Sequence, residues 1–182
     1  PRLRRRLLAL LGASSALGDF LIANPDSVTY LDQEFNAEKV AATMTSRVKR
    51  ALEAGNIPDA VQALRLSYYQ ALCTIAAGDL THPQPLQYMP QVGLQLSQLA
   101  DAAVTAALPI AYRKAGASDQ LAFCVIAMGK TGARELNYIS DVDVMYVVGG
   151  ALDETQATAL GSAVASALTE IISGVGTLAP LW

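Results

Sequence analysis

The spacing of the apolar residues changes near residue 117, and this change constrains the fold more than any other feature of the sequence. Before it, apolar residues recur every three or four positions, for example over 40–52, which is the spacing of an amphipathic helix. After it, continuous apolar runs of strand length occur at 121–128 and 142–148. We therefore predict an α+β fold with an N-terminal helical bundle at 1–116 and part of an α/β unit at 117–182. The pattern leaves open whether the two regions share one core.

Capping and breaking residues divide the helical region. The apolar spacing at the N-terminus predicts one amphipathic helix that continues through Leu17 to Leu21. Asn36 is predicted to cap a second helix that ends at Gly55, and a third is expected from Pro58-Asp59 to Gly78.

The rest of the chain is divided in the same way. Because three prolines lie at 79–90, we expect a loop there, followed by a helix that ends at Gly116. Beyond the two strand-length runs, a helix from Asp153 to about Ser173 is predicted, and the glycines at 174 and 176 break it.

Composition and charge exclude several classes of protein. The chain is 52% hydrophobic with a formal net charge of −3, so it buries enough apolar surface to fold and lacks the basic excess of a dedicated nucleic-acid binder. The uncharged stretch 80–100 contains glutamines and prolines, so no membrane span is expected there. Cys73 and Cys124 lie inside apolar stretches and are expected to be free core thiols in a reducing, cytoplasmic compartment.

A glycine turn and a pair of carboxylates carry the chemical interest of the second region. Gly129 and Gly132 flank Lys130 directly after the first strand-length run, and such a turn brings backbone N–H groups and an ammonium group near a phosphate. Asp141 and Asp143 are two residues apart at the start of the second run, so their side chains are expected on one face. Two adjacent carboxylates repel each other unless a cation lies between them, and oxygen ligands favour Mg²⁺, with Mn²⁺ as a substitute. The combination predicts phosphoryl or nucleotidyl transfer.

The same residues also permit a plainer interpretation. An acidic pair at the edge of a strand is often only solvated surface, and the turn lacks the residue order of a Walker A loop. On spacing alone, both interpretations stay open.

The stretch from 128 to 143 resembles the signature of glutamine synthetase adenylyltransferases, which belong to the nucleotidyltransferase superfamily. The matching positions follow the pattern G-K-x-G-x-x-E-L-N-Y-x-S-D-x-D: Gly129, Lys130, Gly132, Glu135, Leu136, Asn137, Tyr138, Ser140, Asp141 and Asp143. The helical stretch 10–19 and Asn24-Pro25 are also similar to the family, so that the resemblance covers nearly the whole chain.

The resemblance implies an enzyme that regulates glutamine synthetase. Members carry two nucleotidyltransferase units: one transfers AMP from ATP to a tyrosine of glutamine synthetase, and the other removes AMP by phosphorolysis, which gives ADP. PII signal proteins decide which activity prevails. The order of motifs resembles the N-terminal, AMP-removing unit, particularly of actinobacterial members; the adenylylating unit is the alternative.

The resemblance also assigns roles to individual residues. It implies that Asp141 and Asp143 are the catalytic, metal-binding carboxylates. Gly129 and Lys130 stand at the phosphate-binding turn. Ser140, directly before Asp141, is a candidate nucleotide or phosphate contact, with a role in shaping the site as the alternative.

One expected element of the family pattern is not found. The family supplies a third acidic residue on a later strand, whereas Asp153, Glu154 and Glu170 do not stand at a matching place. We therefore expect a fragment with two of three metal ligands. A second hypothesis follows: a scaffold that binds glutamine synthetase or PII and holds an incomplete site. A small-molecule nucleotidyltransferase is a more distant alternative, which the E-L-N-Y segment disfavours.

Several other polar and aromatic residues are interpreted as structural. His82 has no cysteine or carboxylate cluster beside it in the sequence, so a metal role is not expected. Tyr68 and Tyr69 are interpreted as packing residues, and the arginines at 2–6 as a solvated helix start. Arg134 is interpreted either as a phosphate contact or as an exposed charge.

Overall fold

The computed structural model describes residues 1–174 and 178–181 and confirms the α+β class. The helices are Arg2–Ala13 (α1), Ser15–Ala23 (α2), Ala37–Glu53 (α3), Ile57–Leu80 (α4), Pro85–Ala115 (α5), Gly129–Gly132 (α6) and Glu154–Ser173 (α7). A 3-10 helix spans Pro25–Asp32, and the strands are Leu121–Ala127 (β1) and Val144–Gly150 (β2). The predicted break at Gly176 lies outside the described residues.

Side-chain caps fix the starts of α3, α4 and α7. Asn36 Oδ1 accepts a hydrogen bond of 2.8 Å from the Lys39 N–H at the start of α3, as predicted, and Gly55 follows its end with a φ of +79°. Asn56 caps α4 in the same way, so this helix begins slightly before the predicted Pro58. Asp153 caps α7, which confirms the predicted C-terminal helix. Such caps satisfy N–H groups that have no partner within the helix.

The single helix predicted at the N-terminus is wrong, because the chain breaks at Ser14. This residue is extended (φ −145°), and its hydroxyl caps α2 by accepting from the Leu17 N–H. A side chain that bonds to a nearby backbone N–H competes with helix continuation.

The predicted end of α4 at Gly78 and the predicted loop at 79–90 are also wrong. The helix α4 continues to Leu80, and α5 already begins at Pro85 and contains Pro90 and Pro109. A helical glycine costs about 1 kcal/mol and an interior proline about 3 kcal/mol. The long α5 offsets these costs by packing against α3, α4 and α7.

One hydrophobic cluster includes residues from both sides of position 116. Leu64 of α4, Leu99 and Ile110 of α5, Leu121 of β1 and Leu168 of α7 are all buried in it. A smaller cluster joins α1, α2 and the 3-10 helix to α4. No helix in the described part of the chain is long and apolar enough to cross a membrane.

The two strands form an antiparallel ladder that is covered on one face only. Val125 pairs with Tyr146 on the face that packs toward the helices, whereas Ile126 and Met145 on the other face are 42% and 49% exposed. The continuous apolar run at 121–128 therefore forms a strand that is buried on one face only. Cys124 lies on the open face and is exposed, contrary to the predicted core role, whereas Cys73 is buried; both are free thiols.

The prediction of a solvated arginine run fails at Arg6, which is buried. Its guanidinium donates 2.8 Å hydrogen bonds to the carbonyl oxygens of Leu31 and Gln33, at the end of the 3-10 helix. A cation at this end satisfies carbonyl groups that lack a helical partner and interacts favourably with the helix dipole.

Candidate functional site

The glycine turn that follows β1 packs directly against the second carboxylate. Gly129 has a φ of +52°, and a Cβ atom on it would lie 2.7 Å from Oδ2 of Asp143. The Met128 N–H donates a 2.9 Å hydrogen bond to the Asp143 carbonyl oxygen. Two parts of the signature that are far apart in sequence are thus in contact, and only glycine fits at this position without strain or displacement.

A second glycine closes the turn. A Cβ atom on Gly132 would lie 2.6 Å from the Ala127 carbonyl oxygen, so a larger residue would push the turn away from the end of β1. The Gly132 N–H donates to the Met128 carbonyl at 2.9 Å. Lys130 is exposed between the two glycines, and its side-chain ammonium has no hydrogen bond or ion pair with any residue that the structure describes.

Asp141 and Asp143 lie just before β2 and line one cavity of about 370 Å³. The apolar wall of this cavity comes from α5, the inner sheet face and α7, and includes Val104, Tyr146 and Leu168. Both aspartates are exposed, and neither carboxylate has a hydrogen bond or ion pair within 1–174 and 178–181. Their oxygens are therefore free to bind a cation or a solvated ligand.

The chemistry of these donors fits Mg²⁺ or Mn²⁺. Mg²⁺ prefers oxygen ligands and commonly binds one or two carboxylates while it keeps water or substrate phosphate in its other positions. A cation between Asp141 and Asp143 also relieves the repulsion of two like charges. Over the described residues, no group of three His, Cys, Asp or Glu side chains is placed to hold a metal ion. The candidate ligands are therefore the pair Asp141 and Asp143, without a third protein ligand from the described residues.

Ser140 helps to shape the turn that precedes the carboxylates. Its hydroxyl oxygen accepts a 3.2 Å hydrogen bond from the Asn137 N–H, and Asn137 Oδ1 accepts one of 3.0 Å from the Ile139 N–H. These local bonds define the direction in which the chain approaches Asp141. The nucleotide contact inferred for Ser140 stays a prediction.

The signature segment, residues 128–143, is anchored on the helical region by two carboxylates that sequence reasoning missed, Asp101 and Asp79. Arg134 forms an ion pair and hydrogen bond with Asp101 of α5, so the guanidinium that was considered as a phosphate contact is engaged by a carboxylate. The Tyr138 hydroxyl donates a 3.0 Å hydrogen bond to Oδ2 of Asp79 in α4. Burial, and next the negative charge of Asp79, raise the pKa of Tyr138 well above its ordinary value.

A close backbone contact lies between these anchors. A Cβ atom on Gly93 would lie 3.3 Å from the Leu136 carbonyl oxygen, and the buried Leu136 donates its N–H to the Ser97 hydroxyl at 3.4 Å. A glycine inside a long helix signals such an approach, because alanine is otherwise the better helix former. That signal was present in the sequence, but it does not say which segment approaches.

The side chains interpreted as structural have structural contacts. His82 stacks on Tyr88 with ring centroids 4.1 Å apart, and its Nδ1 accepts from the Gln84 N–H. Tyr68 is buried in the core, and Tyr69 stacks on Phe20 at 5.2 Å.

The known proteins that match this chain belong to the family that the signature indicates. The family model described as glutamate-ammonia ligase adenylyltransferase matches residues 4–173. Among curated relatives, the bifunctional glutamine synthetase adenylyltransferase/adenylyl-removing enzyme of Bifidobacterium longum subsp. infantis is 34% identical over 98% of this chain and 18% of its own length. The enzymes of the same name from Corynebacterium glutamicum and Mycobacterium avium are 38% and 42% identical, over 87% and 80% of this chain and 19% and 15% of their own lengths.

The chain thus spans less than a fifth of the length of these relatives. No solved structure gives a match. The family model covers most of the chain, and the relatives carry the same name in several actinobacteria. The chain belongs to the glutamate-ammonia ligase adenylyltransferase family.

Proposed function

We propose that this chain is part of a Mg²⁺-dependent nucleotidyltransferase unit that removes AMP from a tyrosine of glutamine synthetase by phosphorolysis. The observation that carries the proposal is the position of Asp141 and Asp143. Their carboxylates line one cavity without protein partners, and Asp143 packs against the glycine turn that presents Lys130. Free carboxylates beside a cationic turn are suited to a metal–phosphate substrate.

The reaction is a displacement at the α-phosphorus of the adenylylated tyrosine. An oxygen of inorganic phosphate forms the new P–O bond, the bond to the tyrosine oxygen breaks, and that oxygen leaves as phenolate and takes up a proton. The products are ADP and unmodified tyrosine. Bound Mg²⁺, or Mn²⁺ in its place, supplies positive charge that neutralises the transferring group.

The residues of this chain hold and orient the reactants. Asp141 and Asp143 fix the cation, and the exposed Lys130 ammonium is available for a phosphate oxygen. Gly129 lets the backbone of the turn pass close to Asp143. The segment from Arg134 to Tyr138 holds this arrangement against α4 and α5 through Asp101 and Asp79.

Removal of AMP is proposed over addition because the motif order resembles the N-terminal unit of the family. The relatives' name includes both activities, and both directions use the same kind of metal site, so the adenylylating unit is the alternative. Glutamine synthetase, a PII signal protein, ATP or ADP, and phosphate are the partners that accompany this proposal, with the cytoplasm as the compartment.

A scaffold function is the second candidate, and one observation favours it. The described residues contain two unpartnered carboxylates but no third acidic ligand at the site. In this alternative, the helical region binds glutamine synthetase or PII, and binding needs neither a divalent ion nor the two aspartates.

The small-molecule products released in reactions with glutamine synthetase distinguish removal, addition and the scaffold function. The chain is incubated with Mg²⁺, phosphate and adenylylated glutamine synthetase, and in a parallel reaction with ATP and the unmodified enzyme. ADP in the first reaction, lost with Asp141→Asn and Asp143→Asn, supports removal. Pyrophosphate in the second supports addition. Neither product, together with metal-independent binding of glutamine synthetase, would refute the enzymatic proposal for this chain and favour the scaffold.

A further inference from the structure

A second cavity, of about 150 Å³, lies among the 3-10 helix, α3 and α4, and it shares no lining residue with the aspartate cavity. Its wall includes Tyr30, Glu34, Lys39, Thr43 and Arg47. Water occupies about 30 Å³ per molecule in the liquid, so the cavity has room for about five waters. A ligand of this size is far smaller than a nucleotide.

Arg47 is held firmly at this cavity, but by neutral groups. Its NH1 donates to the Ser67 hydroxyl at 3.0 Å and to Gln70 Oε1 at 2.8 Å, and its NH2 donates to the Tyr30 hydroxyl at 3.0 Å. Ser67 and Gln70 are each 6% exposed, so buried side chains fix the orientation of the guanidinium. None of these acceptors carries a negative charge.

The other charged groups at the cavity leave it with an excess of positive charge. Lys39 forms no ion pair within the described part of the chain. The Glu34 carboxylate lines the cavity but is engaged by Arg2 and by Arg6, which approaches to 3.3 Å. The charges of Arg47 and Lys39 therefore have no counterion among the residues described.

This arrangement differs from that of the two buried arginines. Arg6 and Arg65 donate to backbone carbonyls at the ends of helical segments, where the helix dipole supplies partial negative charge. Among the described residues, Arg47 contacts neither a helix end nor a carboxylate, and it lies at an open cavity. A half-buried guanidinium is most stable when a carboxylate or phosphate accepts its hydrogen bonds.

We propose that this cavity binds a small oxyanion, with a carboxylate or phosphate group between Arg47 and Lys39. A cavity of this size accommodates inorganic phosphate or the carboxylate of a short acid. Because the site is separate from Asp141 and Asp143, the proposal stands whether or not the chain is catalytically active.

The test uses sodium phosphate and sodium acetate as probes of the whole 182-residue chain. Titrations are made at constant ionic strength with protein and buffers freed of divalent ions by a chelating resin, so that no divalent ion can bring phosphate to the aspartates. The readouts are the melting temperature and the Nε–H resonances of the arginines. We expect a saturable rise in melting temperature and a shift of one Nε–H resonance, which is assigned to Arg47 by its loss in Arg47→Gln.

Two variants and one control make the result specific. Arg47→Gln removes the cation and is expected to weaken binding at least tenfold. Thr43→Leu fills the cavity without removing a hydrogen bond of Arg47, so it tests the site even if Arg47→Gln fails to fold. Arg50→Gln changes an exposed arginine of the same helix that makes no side-chain hydrogen bond with the described residues and is expected to bind normally.

The pattern of saturation identifies the ligand. Saturation by phosphate alone assigns a phosphate site, by acetate alone a carboxylate site, and by both a general oxyanion site. Phosphate also stabilises proteins by exclusion from their surface, but that effect does not saturate. No saturable change with either probe, or the same affinity in Thr43→Leu as in the unsubstituted chain, would overturn the proposal.

Discussion

Replacing Gly129 with alanine separates the two reasons for a glycine at this turn. The first reason is its φ of +52°, and the second is that a Cβ atom would lie 2.7 Å from Oδ2 of Asp143. Gly55 shares only the first property, because its φ is +79° but no described residue other than its chain neighbours lies within 4 Å of its Cβ position. Gly12 in α1 shares neither property. Gly55→Ala and Gly12→Ala are therefore matched controls.

The stability changes follow from backbone conformation. A left-handed conformation costs an L-residue about 1–2 kcal/mol, and alanine recovers about 0.4–1 kcal/mol by restricting the unfolded chain. We expect Gly55→Ala and Gly129→Ala to be similarly destabilising, by about 1 kcal/mol, because the Asp143 side chain is able to rotate away from the new Cβ atom. Gly12→Ala is expected to stabilise its helix by about 0.5–1 kcal/mol.

Metal binding distinguishes the two destabilised variants. An ordinary contact of a Cβ atom is 3.4–4 Å, so in Gly129→Ala the Asp143 carboxylate has to move by more than half an ångström. Metal–ligand distances tolerate only about ±0.2 Å. We expect the affinity for Mn²⁺ to fall at least about tenfold in Gly129→Ala and to be unchanged in Gly55→Ala.

Urea denaturation and calorimetric titration with Mn²⁺ measure the two effects on the same protein samples. If Gly129→Ala binds Mn²⁺ as tightly as Gly55→Ala does, the contact between the turn and Asp143 does not position a metal ligand. If Gly129→Ala is as stable as Gly12→Ala, the strain argument itself is wrong.

Three further predictions concern stability and the anchoring of the signature segment. Arg65→Met leaves three carbonyl groups at and beyond the end of α7 without their donor and should lower the free energy of unfolding, measured by urea denaturation, by about 2–3 kcal/mol. Arg4→Met changes an exposed arginine and should lower it by less than 0.5 kcal/mol. Equal losses in the two variants would contradict the capping role. Burial raises the pKa of the Cys73 thiol from 9.0 to about 12. Above pH 9 the thiol therefore ionises in the unfolded chain but not in the folded one, so the stability that the buried neutral thiol contributes is present below pH 9 and is lost as the pH rises toward 12. Between pH 8 and 10 the free energy of unfolding should fall by about 1.4 kcal/mol more than in Cys73→Ala, and identical pH profiles would refute this. Tyr138→Phe removes the hydrogen bond to Asp79 and should speed amide hydrogen exchange over 136–140 several-fold without exposing α4; unchanged exchange would show that the bond does not anchor the segment.

Local signals in the sequence predicted much of the fold. The cap at Asn36, the helix start at Asp153 and the helix end at Gly55 depend on contacts within one turn, so their residue types are sufficient to predict them. The break at Ser14 is also local, because its hydroxyl caps α2, but the apolar spacing continues across it. The helical position of Pro90 depends on packing against other helices. Periodicity alone does not contain that information, and it also does not show whether a strand has one covered face or two.

The candidate site was predictable as a set of residues but not as a geometry. The signature pointed to Gly129, Lys130, Asp141 and Asp143, and the structure places Gly129 against Asp143 and the two aspartates on one cavity. The anchors Asp79 and Asp101 carry no sequence mark, because an isolated aspartate in a helix is most often an exposed charge. Their role follows only from how the signature segment packs on α4 and α5.

The most direct test of the proposed function is calorimetric titration of ADP or ATP into the chain with and without Mn²⁺. The unsubstituted chain is compared with one that carries Asp141→Asn and Asp143→Asn, in which size is kept and charge is removed. We predict saturable nucleotide binding that requires Mn²⁺ and is lost in the double variant. Absence of Mn²⁺-dependent binding, or the same binding in both proteins, would contradict the assignment of the two aspartates as the metal site.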